Sequence, residues 1–416
     1  MVVKRSEQSE LEIIPKDWKF KKIKNIGNVI RGASPRPKGD KRFYGGDVPR
    51  LMVQDVTRDG KFVTPRVDFL TKEGEKRSRP CKKGTLTIVC SGTVGIPSFL
   101  AVDACIHDGF LAITNLNENI SEDYLYHQLS NLRNKFETSA THGGVFTNLT
   151  TSILKEFEVA FPPTKDEQLQ IVKILSNIDE LINNLKKLIE KKKNIKEGAM
   201  QELLTGKRRL DGFQKEWQFV QLKKIIDLKS GYSFKSENFV PTSNKIVITP
   251  GNFPKEGGLY FNIKNSTFYD GTIPDGFVLN NGDLLIVMTD LTRDGDILGN
   301  SGILNSDYTI LHNQRIAKVL FKQKINKEFL NFVLNSKSYK QQILKTSSGT
   351  GVIHTSPTRI LECNIPLPMI DEQSEIAKIL YDMDLDIHDL ENHLNKYNNL
   401  KQGIMQKLLM GGIRLK

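Results

Sequence analysis

The chain has 416 residues, 38% hydrophobic and 26% charged, enough for two or three domains, and it lacks any run of about 18 apolar residues that could cross a membrane. Its four cysteines (Cys81, Cys90, Cys105, Cys363) show no C-x-x-C spacing, which argues against a zinc site and points to buried thiols in a reducing cytoplasm. The net charge of +12 is unevenly placed: residues 16–83 hold 20 Lys/Arg against 8 Asp/Glu, a cationic density that concentrates polyanions.

In chain order, the opening "MVVKRSEQSELEIIP" lacks the apolar stretch of a secretory signal. Next comes "RGASPRPKGDKRF", basic and rich in Gly and Pro, a loop whose Arg31, Ser34, Arg36, Lys38, Lys41 and Arg42 are candidate DNA contacts. Lysine and arginine bind phosphates there, and arginine also forks onto guanine O6 and N7. "QDVTRDGK" adds Gln54 and Arg58, side chains suited to adenine and guanine edges, around Asp55, suited to cytosine. "TLTIV" has the composition of a short buried strand. "SGTVG" supplies the loop candidates Ser91 and Thr93, "SEDYLYHQLSNLRNKFE" has helical spacing, and "THGGVFTN" offers His142 and Thr147.

"PPTKDEQ" then opens a long helix, with Thr164 as N-cap and Glu167 three residues on, the spacing of a capping box. Ile171, Leu175, Ile178, Ile182, Leu185 and Ile189 alternate at steps of four and three, the a/d seam of a coiled coil, flanked by Ile174, Leu181, Leu188 and Ile195. A second mixed region follows. "SGYSFK" supplies Tyr232 and Lys235, "DLLIVM" is another buried strand, and "TDLTRDGD" supplies Thr289, Thr292 and Arg293. "HNQR" supplies Asn313 and Arg315, and "SSGTGVIHT" supplies Ser348, Thr350 and His354; between the last two lies the helical pattern "NKEFLNFVLNSKSYKQQIL". The second long helix begins at "DEQSEIAKIL" and carries its seam on Ile376, Leu380, Met383, Ile387, Leu390, Leu394 and Tyr397, continuing to Ile404 and Leu408.

Shifted by 205 positions the chain matches itself: 21 of 45 residues are identical between 166–210 and 371–415, with no gap. Weaker likeness runs outward, as in "DWKFKKIKNIGNVIRG" against "EWQFVQLKKIIDLKSG". The period far exceeds that of solenoids, so a domain-sized unit has been duplicated. The resulting organisation is α+β: a globular domain over residues 1–160, a helix over 161–210, a second globular domain over 211–365 and a second helix over 366–416. Each helix of about 40 residues would be about 60 Å long. A domain of roughly 155 residues is only about 40 Å across. It can therefore connect the end of one helix to the start of the other only if the two run antiparallel. Gly198 and Gly403, at matching places in the helices, each cost about 1 kcal/mol relative to Ala and suggest a close approach by another backbone, in the first instance the partner helix.

Two related heads with a basic surface suit duplex DNA, with the helices as a ruler over an unread gap of about 17 base pairs. No phosphate-binding loop, H-E-x-x-H or metal-ligand cluster is present, and "AFPPT" has Phe161 where an amino-methyltransferase motif needs Asn or Asp. With "FPPTKDEQ" and "LPMIDEQ" entering repeated helices that end in "MQELLTGKRRL" and "MQKLLMGGIRL", the whole chain resembles the specificity subunits of type I restriction–modification systems. The resemblance implies two target recognition domains, each reading half of a bipartite asymmetric DNA site, and two methyltransferase subunits docked along the helices. It also implies a restriction–translocase subunit that joins for cleavage. S-adenosylmethionine, ATP and magnesium would reside on those partners; this chain would be a non-catalytic, cofactor-free recognition subunit. The alternative is a coiled-coil scaffold that gathers partners without reading sequence.

Overall fold

The strand cores of "TLTIV" and "DLLIVM", Leu86–Val89 and Leu284–Val287, are buried at every position and not only at every second one, Thr87 included, so both faces of the sheet they enter are covered. The computed structural model, which describes residues 15–143, 146–292, 294–349 and 351–415, shows that cover. The chain divides into two compact units, Met1–Leu185 with His393–Lys416, and Lys186–Asn392.

In the first unit Leu86–Val89 lies inside a five-stranded sheet ordered Asn28–Arg31, Phe110–Thr114, Leu86–Val89, Pro97–Leu100, Phe62–Val63. Leu86 and Ile88, with Leu111 and Ile113, face a core shared with helix Glu122–Asn131. Val89, Phe110 and Ala112 face a second core with Leu51, Cys81 and Ile106 of a four-stranded sheet. The second unit repeats the plan. Leu284 and Ile286 turn to a core with helix Lys327–Leu334, while Leu285 and Val287 turn to one with Ile246, Phe268 and Ile310. The main sheet there runs Ile226–Ser230, Ile316–Phe321, Leu284–Val287, Ser301–Ile303. All four cysteines are free and buried, as their spacing suggests.

The long helices span Lys165–Leu203 and Ile370–Leu409. Every seam position of the first, Ile171 through Ile189, is buried or half-buried. Within the first unit the start of one helix and the end of the other enter the same core: Ile171 and Leu175 beside Leu408 and Leu409. Within the second unit Leu203 and Leu204 share a core with Ile376 and Leu380. The helices therefore run antiparallel in each unit, as the chain geometry requires. Ion pairs agree: Asp179 with Lys401 in the first, and Lys192 with Asp386 at 3.0 Å and Lys196 with Asp384 in the second.

Each helix start is locked by the tail that follows the other helix. Both tails leave their helix at a glycine of positive φ, Gly206 at 71° and Gly411 at 73°, a conformation that residues with a Cβ adopt at a cost. Beyond these turns Arg209 grips Glu372 with Nε at 2.7 Å and Nη2 at 2.9 Å, and Trp217 Nε1 donates to the same carboxylate at 3.0 Å. In the first unit Arg414 grips Glu167 likewise, at 2.7 and 3.1 Å. Next along each helix, Gln168 accepts the amide of Ser121 and Gln373 that of Asn326, fixing the N-caps of helices Glu122–Asn131 and Lys327–Leu334.

Two expectations need correction. Thr164 Oγ1 does accept the amide of Glu167 at 3.2 Å, but the Glu167 carboxylate goes to Arg414 instead of closing the capping box. A Cβ at Gly198 or Gly403 would meet nothing within 4 Å, so no backbone of this chain approaches either glycine among the described residues.

Glu372 is 2% exposed and its arginine 28%, so replacing it by Gln leaves a largely desolvated guanidinium without its counter-charge. Glu372→Gln should lower stability by about 2 kcal/mol in urea titrations. Glu167→Gln should cost less, because Arg414 is 40% exposed and no tryptophan donates to Glu167.

His127 is 1% exposed and its Nε2 has no partner; burial, assisted by nearby Lys61, pushes its pKa down to about 4. A histidine buried neutral adds nothing to the pH dependence of stability above its unfolded value near 6.5, and it disfavours the fold as pH falls from there toward 4. The wild type should lose on the order of 2–3 kcal/mol over that window in excess of a His127→Gln variant, read from thermal melts at stepped pH.

Candidate nucleic-acid interface

At one end of each main sheet the chain leaves the strands in loops that stay hydrogen-bonded to one another. In the second unit Tyr232 N–H donates to His312 O at 2.8 Å and Gln314 N–H to Tyr232 O at 3.1 Å. Met288 N–H then donates to Arg315 O at 2.8 Å, and Thr355 N–H to Met288 O at 3.0 Å. Ser348 and His354 exchange both backbone bonds, at 3.0 and 2.8 Å. The result is a continuous ribbon from Tyr232 through 313–315 and Thr289 to His354 and Ser348. The first unit builds the same ribbon. Gly32 N–H donates to Phe110 O at 2.9 Å, Cys90 N–H to Gly109 O at 2.8 Å, and Leu149 N–H to Cys90 O at 2.9 Å, with Ser91 bridged to Asn148.

The centre of each ribbon is a tight turn. Residues His107–Phe110 close with Phe110 N–H on His107 O at 2.9 Å, and Asn313–Ile316 with Ile316 N–H on Asn313 O at 3.0 Å. The first side chain of each turn accepts the amide two residues on: His107 Nδ1 from Gly109, Asn313 Oδ1 from Arg315, both at 2.8 Å. This is an Asx-type turn, with imidazole standing in for the amide oxygen in one unit. Gly32 and Gly231 press on the same turns. A methyl on Gly32 would overlap the His107 carbonyl, and one on Gly231 the carbonyls of His312 and Asn313.

Around the first turn lies a charged network. Arg31 Nε donates to Asp108 O at 3.1 Å, Ser34 Oγ donates to the Asp108 carboxylate, and Arg36 stands 3.6 Å from its other oxygen. Arg50, 5% exposed, donates to Ser34 Oγ at 2.7 Å, pairs with Asp68 and lies over the Tyr44 ring. Partial burial opposes ionisation of Asp108, but the hydrogen bonds from Ser34 and from its own backbone amide outweigh it and hold the carboxyl below its ordinary range. Burial, with Arg50 nearby, pushes the His107 pKa down, consistent with a neutral ring accepting from Gly109.

The structure thus gathers Arg31, Ser34, Arg36 and Ser91 on the first ribbon, with exposed Thr93 in the adjoining turn. It gathers Tyr232, Thr289, Asn313, Arg315, Ser348 and His354 on the second; Thr289 Oγ1 and His354 Nδ1 are 3.1 Å apart. Exposed Thr292 belongs to the turn that follows, where buried Asp290 accepts the amides of Thr292 and Ile297, each at 2.7 Å. His142 and Thr147 pair across a hairpin, but their side chains, like Arg293 and Thr350, lie outside the described residues.

Other candidates stand apart. Lys38, Lys41 and Arg42 sit on the loop that packs on Thr71, where Arg42 is neutralised by Asp40 at 2.7 Å; Lys38 and Lys41 are exposed. Gln54 and Arg58 lie on helix Val53–Asp59, and Arg58 is tied to Asp55 and Asp59. That pairing draws the Asp59 carboxyl down to about 2. Lys235 is 3.6 Å from Glu237. Outside the sequence candidates stand Arg50, His107, Asp108 and Arg359, whose Nη1 donates to Ser348 Oγ at 3.0 Å, while Gln314 lies inside the candidate stretch "HNQR". The signal available for the turns was "HDGF" and "HNQRI", a polar run ending at a strand in both halves. Among the described residues no group of His, Cys, Asp and Glu could hold a metal, and no helix is long and apolar enough to cross a membrane.

Two compact units with matching sheets and matching ribbons define a duplicated recognition protein. The family described as "Type I restriction modification DNA specificity domain" matches residues 15–195 and again 214–402. The chain belongs to that family, and it is a specificity subunit, the part of a type I restriction–modification system that recognises the DNA target. It is similar at 27% identity over 427 residues to the type I restriction enzyme MjaVIII specificity subunit of Methanocaldococcus jannaschii, covering 97% of this chain and 94% of that one. The MjaIX specificity subunit of the same organism is 31% identical over 190 residues, 44% of this chain and 42% of that one. The fold is also that of the S subunit from M. genitalium, with TM-score 0.55, 17% identity and coverage of 95% and 96%. A chain from a type I R-M system solved to study complex assembly and conformational transition gives TM-score 0.61 at 16% identity, covering 96% and 99%.

Gly231→Ala should destabilise the second unit by about 1–3 kcal/mol, because the methyl has only backbone to displace. Gly251→Ala, whose Cβ would meet only Thr249 Oγ1 at 3.5 Å, should melt within a degree or two of wild type in calorimetry.

Proposed function

We propose that each unit reads one half of a split, asymmetric DNA sequence, that the long helices carry two methyltransferase subunits, and that this chain contributes recognition without catalysis. The observation that carries the reading is the pair of ribbons: one backbone hydrogen-bond pattern, built twice, presenting different side chains. Tyr232, Asn313, Gln314 and Arg315 stand on one, and Ser34, Arg36, Asp108 and Ser91 on the other. Such a pair suits two half-sites of different sequence, since base edges are read by side chains while backbone and lysines fix the register on phosphates. Exposed Lys38 and Lys41, on the loop that follows Arg36, suit that second task.

Partner docking is supported by what the helices leave uncovered. Leu181, Leu188 and Ile195 are 40, 40 and 48% exposed along one row of the first helix, and Tyr381, Leu385 and Leu400 are 52, 49 and 47% exposed on the second. Gly198 and Gly403 have open space around them, which admits a closely packed helix from another chain. Methyl transfer, and cleavage where a restriction subunit joins, would use S-adenosylmethionine, ATP and magnesium held by those partners, in the cytoplasm.

The test uses the chain purified with its methyltransferase. Methylation mapped over a genomic library should fall on one split sequence, and exchanging residues 211–365 for those of a related subunit should change one half only. Equal modification of unrelated duplexes, or no methyltransferase retained, would favour a scaffold that does not read sequence.

A further inference from the structure

This inference rests on the recognition reading above and assigns it to two residues. Each ribbon is centred on an equivalent turn, His107–Phe110 in one unit and Asn313–Ile316 in the other. The first position of each turn is occupied in holding the turn itself, because His107 Nδ1 and Asn313 Oδ1 accept amides at 2.8 Å. The next position is the tip, and there the two units differ: Asp108 in one, Gln314 in the other. Gln314 is exposed. Asp108 keeps a half-exposed carboxylate, 49% open, aimed by Ser34 on one oxygen and with Arg36 at 3.6 Å from the other. Gly32 and Gly231 buttress the backbone of both turns from below, leaving no slack for the tip to shift.

A rigid turn at the centre of a loop ribbon, with one variable side chain at its tip, is the geometry of direct readout. We infer that Asp108 and Gln314 are equivalent specificity-determining residues, one in each half-site. An ionised carboxylate only accepts hydrogen bonds, so Asp108 selects a base that presents an amino group in the major groove, cytosine N4 being the usual partner. A carboxamide donates and accepts at once, so Gln314 selects adenine through N6 and N7. The same acidic tip repels phosphate, which keeps the first turn off the backbone and leaves that role to Arg36, Lys38 and Lys41.

The experiment measures methylation by the complex of full-length chain and methyltransferase on a pool of duplexes randomised at each position of the recognised sequence. Wild type establishes whether sequence is read at all; uniform modification at that stage refutes the recognition reading itself. Given a wild-type preference, Asp108→Asn and Asp108→Ala should relax or switch one position in one half, and Gln314→Ala one position in the other. Discrimination there should fall by roughly 5- to 150-fold, with every other position unchanged. Gln314→Ala, at an exposed tip, and Asp108→Asn, which keeps an acceptor oxygen for Ser34, should melt close to wild type; Asp108→Ala leaves Ser34 without that acceptor and should melt lower. Variants that fold but methylate with the wild-type base preference at all positions, whether at full rate or uniformly weakened, overturn the assignment.

Discussion

A carboxylate that opens one long helix is held by an arginine that follows the other, and the rest of the fold depends on that reciprocal grip. Glu167 with Arg414 and Glu372 with Arg209 are the same interaction made twice, each largely withdrawn from water on the acidic side. The pairing sits at a helix N-terminus, where negative charge is already favoured by the helix dipole. The adjacent glutamine, Gln168 or Gln373, then fixes the N-cap of the helix that backs the main sheet. From a single acidic turn the order passes to the helix, from the helix to the sheet, and from the sheet to the ribbon at its end.

The two units share this frame and differ where a frame tolerates difference. In the first, Tyr124 Oη donates to Ala160 O at 2.9 Å, and Gln128 Nε2 reaches Tyr124 Oη, Ala160 O and Leu409 O, a buried polar knot between helix, strand and tail. The corresponding residues of the second unit, Phe329 and Val333, are apolar and buried, and the same place is filled by packing alone. A satisfied polar network and an apolar cluster are interchangeable solutions when every donor finds a partner. The chemistry of the core can therefore drift while the ribbon stays in register.

Much of this was legible in the residues. The gapless repeat gave the duplication, the a/d seam gave the helix face, and chain length between the helices gave their direction; the buried seam from Ile171 to Ile189 agrees. The short apolar runs in "TLTIV" and "DLLIVM" announced buried strands, though not the two separate cores that cover their faces. Side-chain partnerships at a distance were not legible. Nothing local marks Glu167 as the partner of Arg414, 247 positions away, in place of its own cap. The basic loop looked like one surface, yet Arg42 and Arg58 are spent on neighbouring aspartates while a buried Arg50 organises the network around Asp108. The mid-helix glycines were legible as a cost but not as a location, since nothing among the described residues approaches either of them.

The shared core of Ile171, Leu175, Leu408 and Leu409 also governs how the molecule is made. During translation the residues that form the bulk of the first unit emerge before the second unit, but the segment that completes its apolar interior and supplies Arg414 emerges only after it. At a typical elongation speed the interval is roughly ten to forty seconds. For that time the nascent chain presents an unfinished hydrophobic surface, so a ribosome that stalls between the second unit and this segment leaves its damage in the unit made before it.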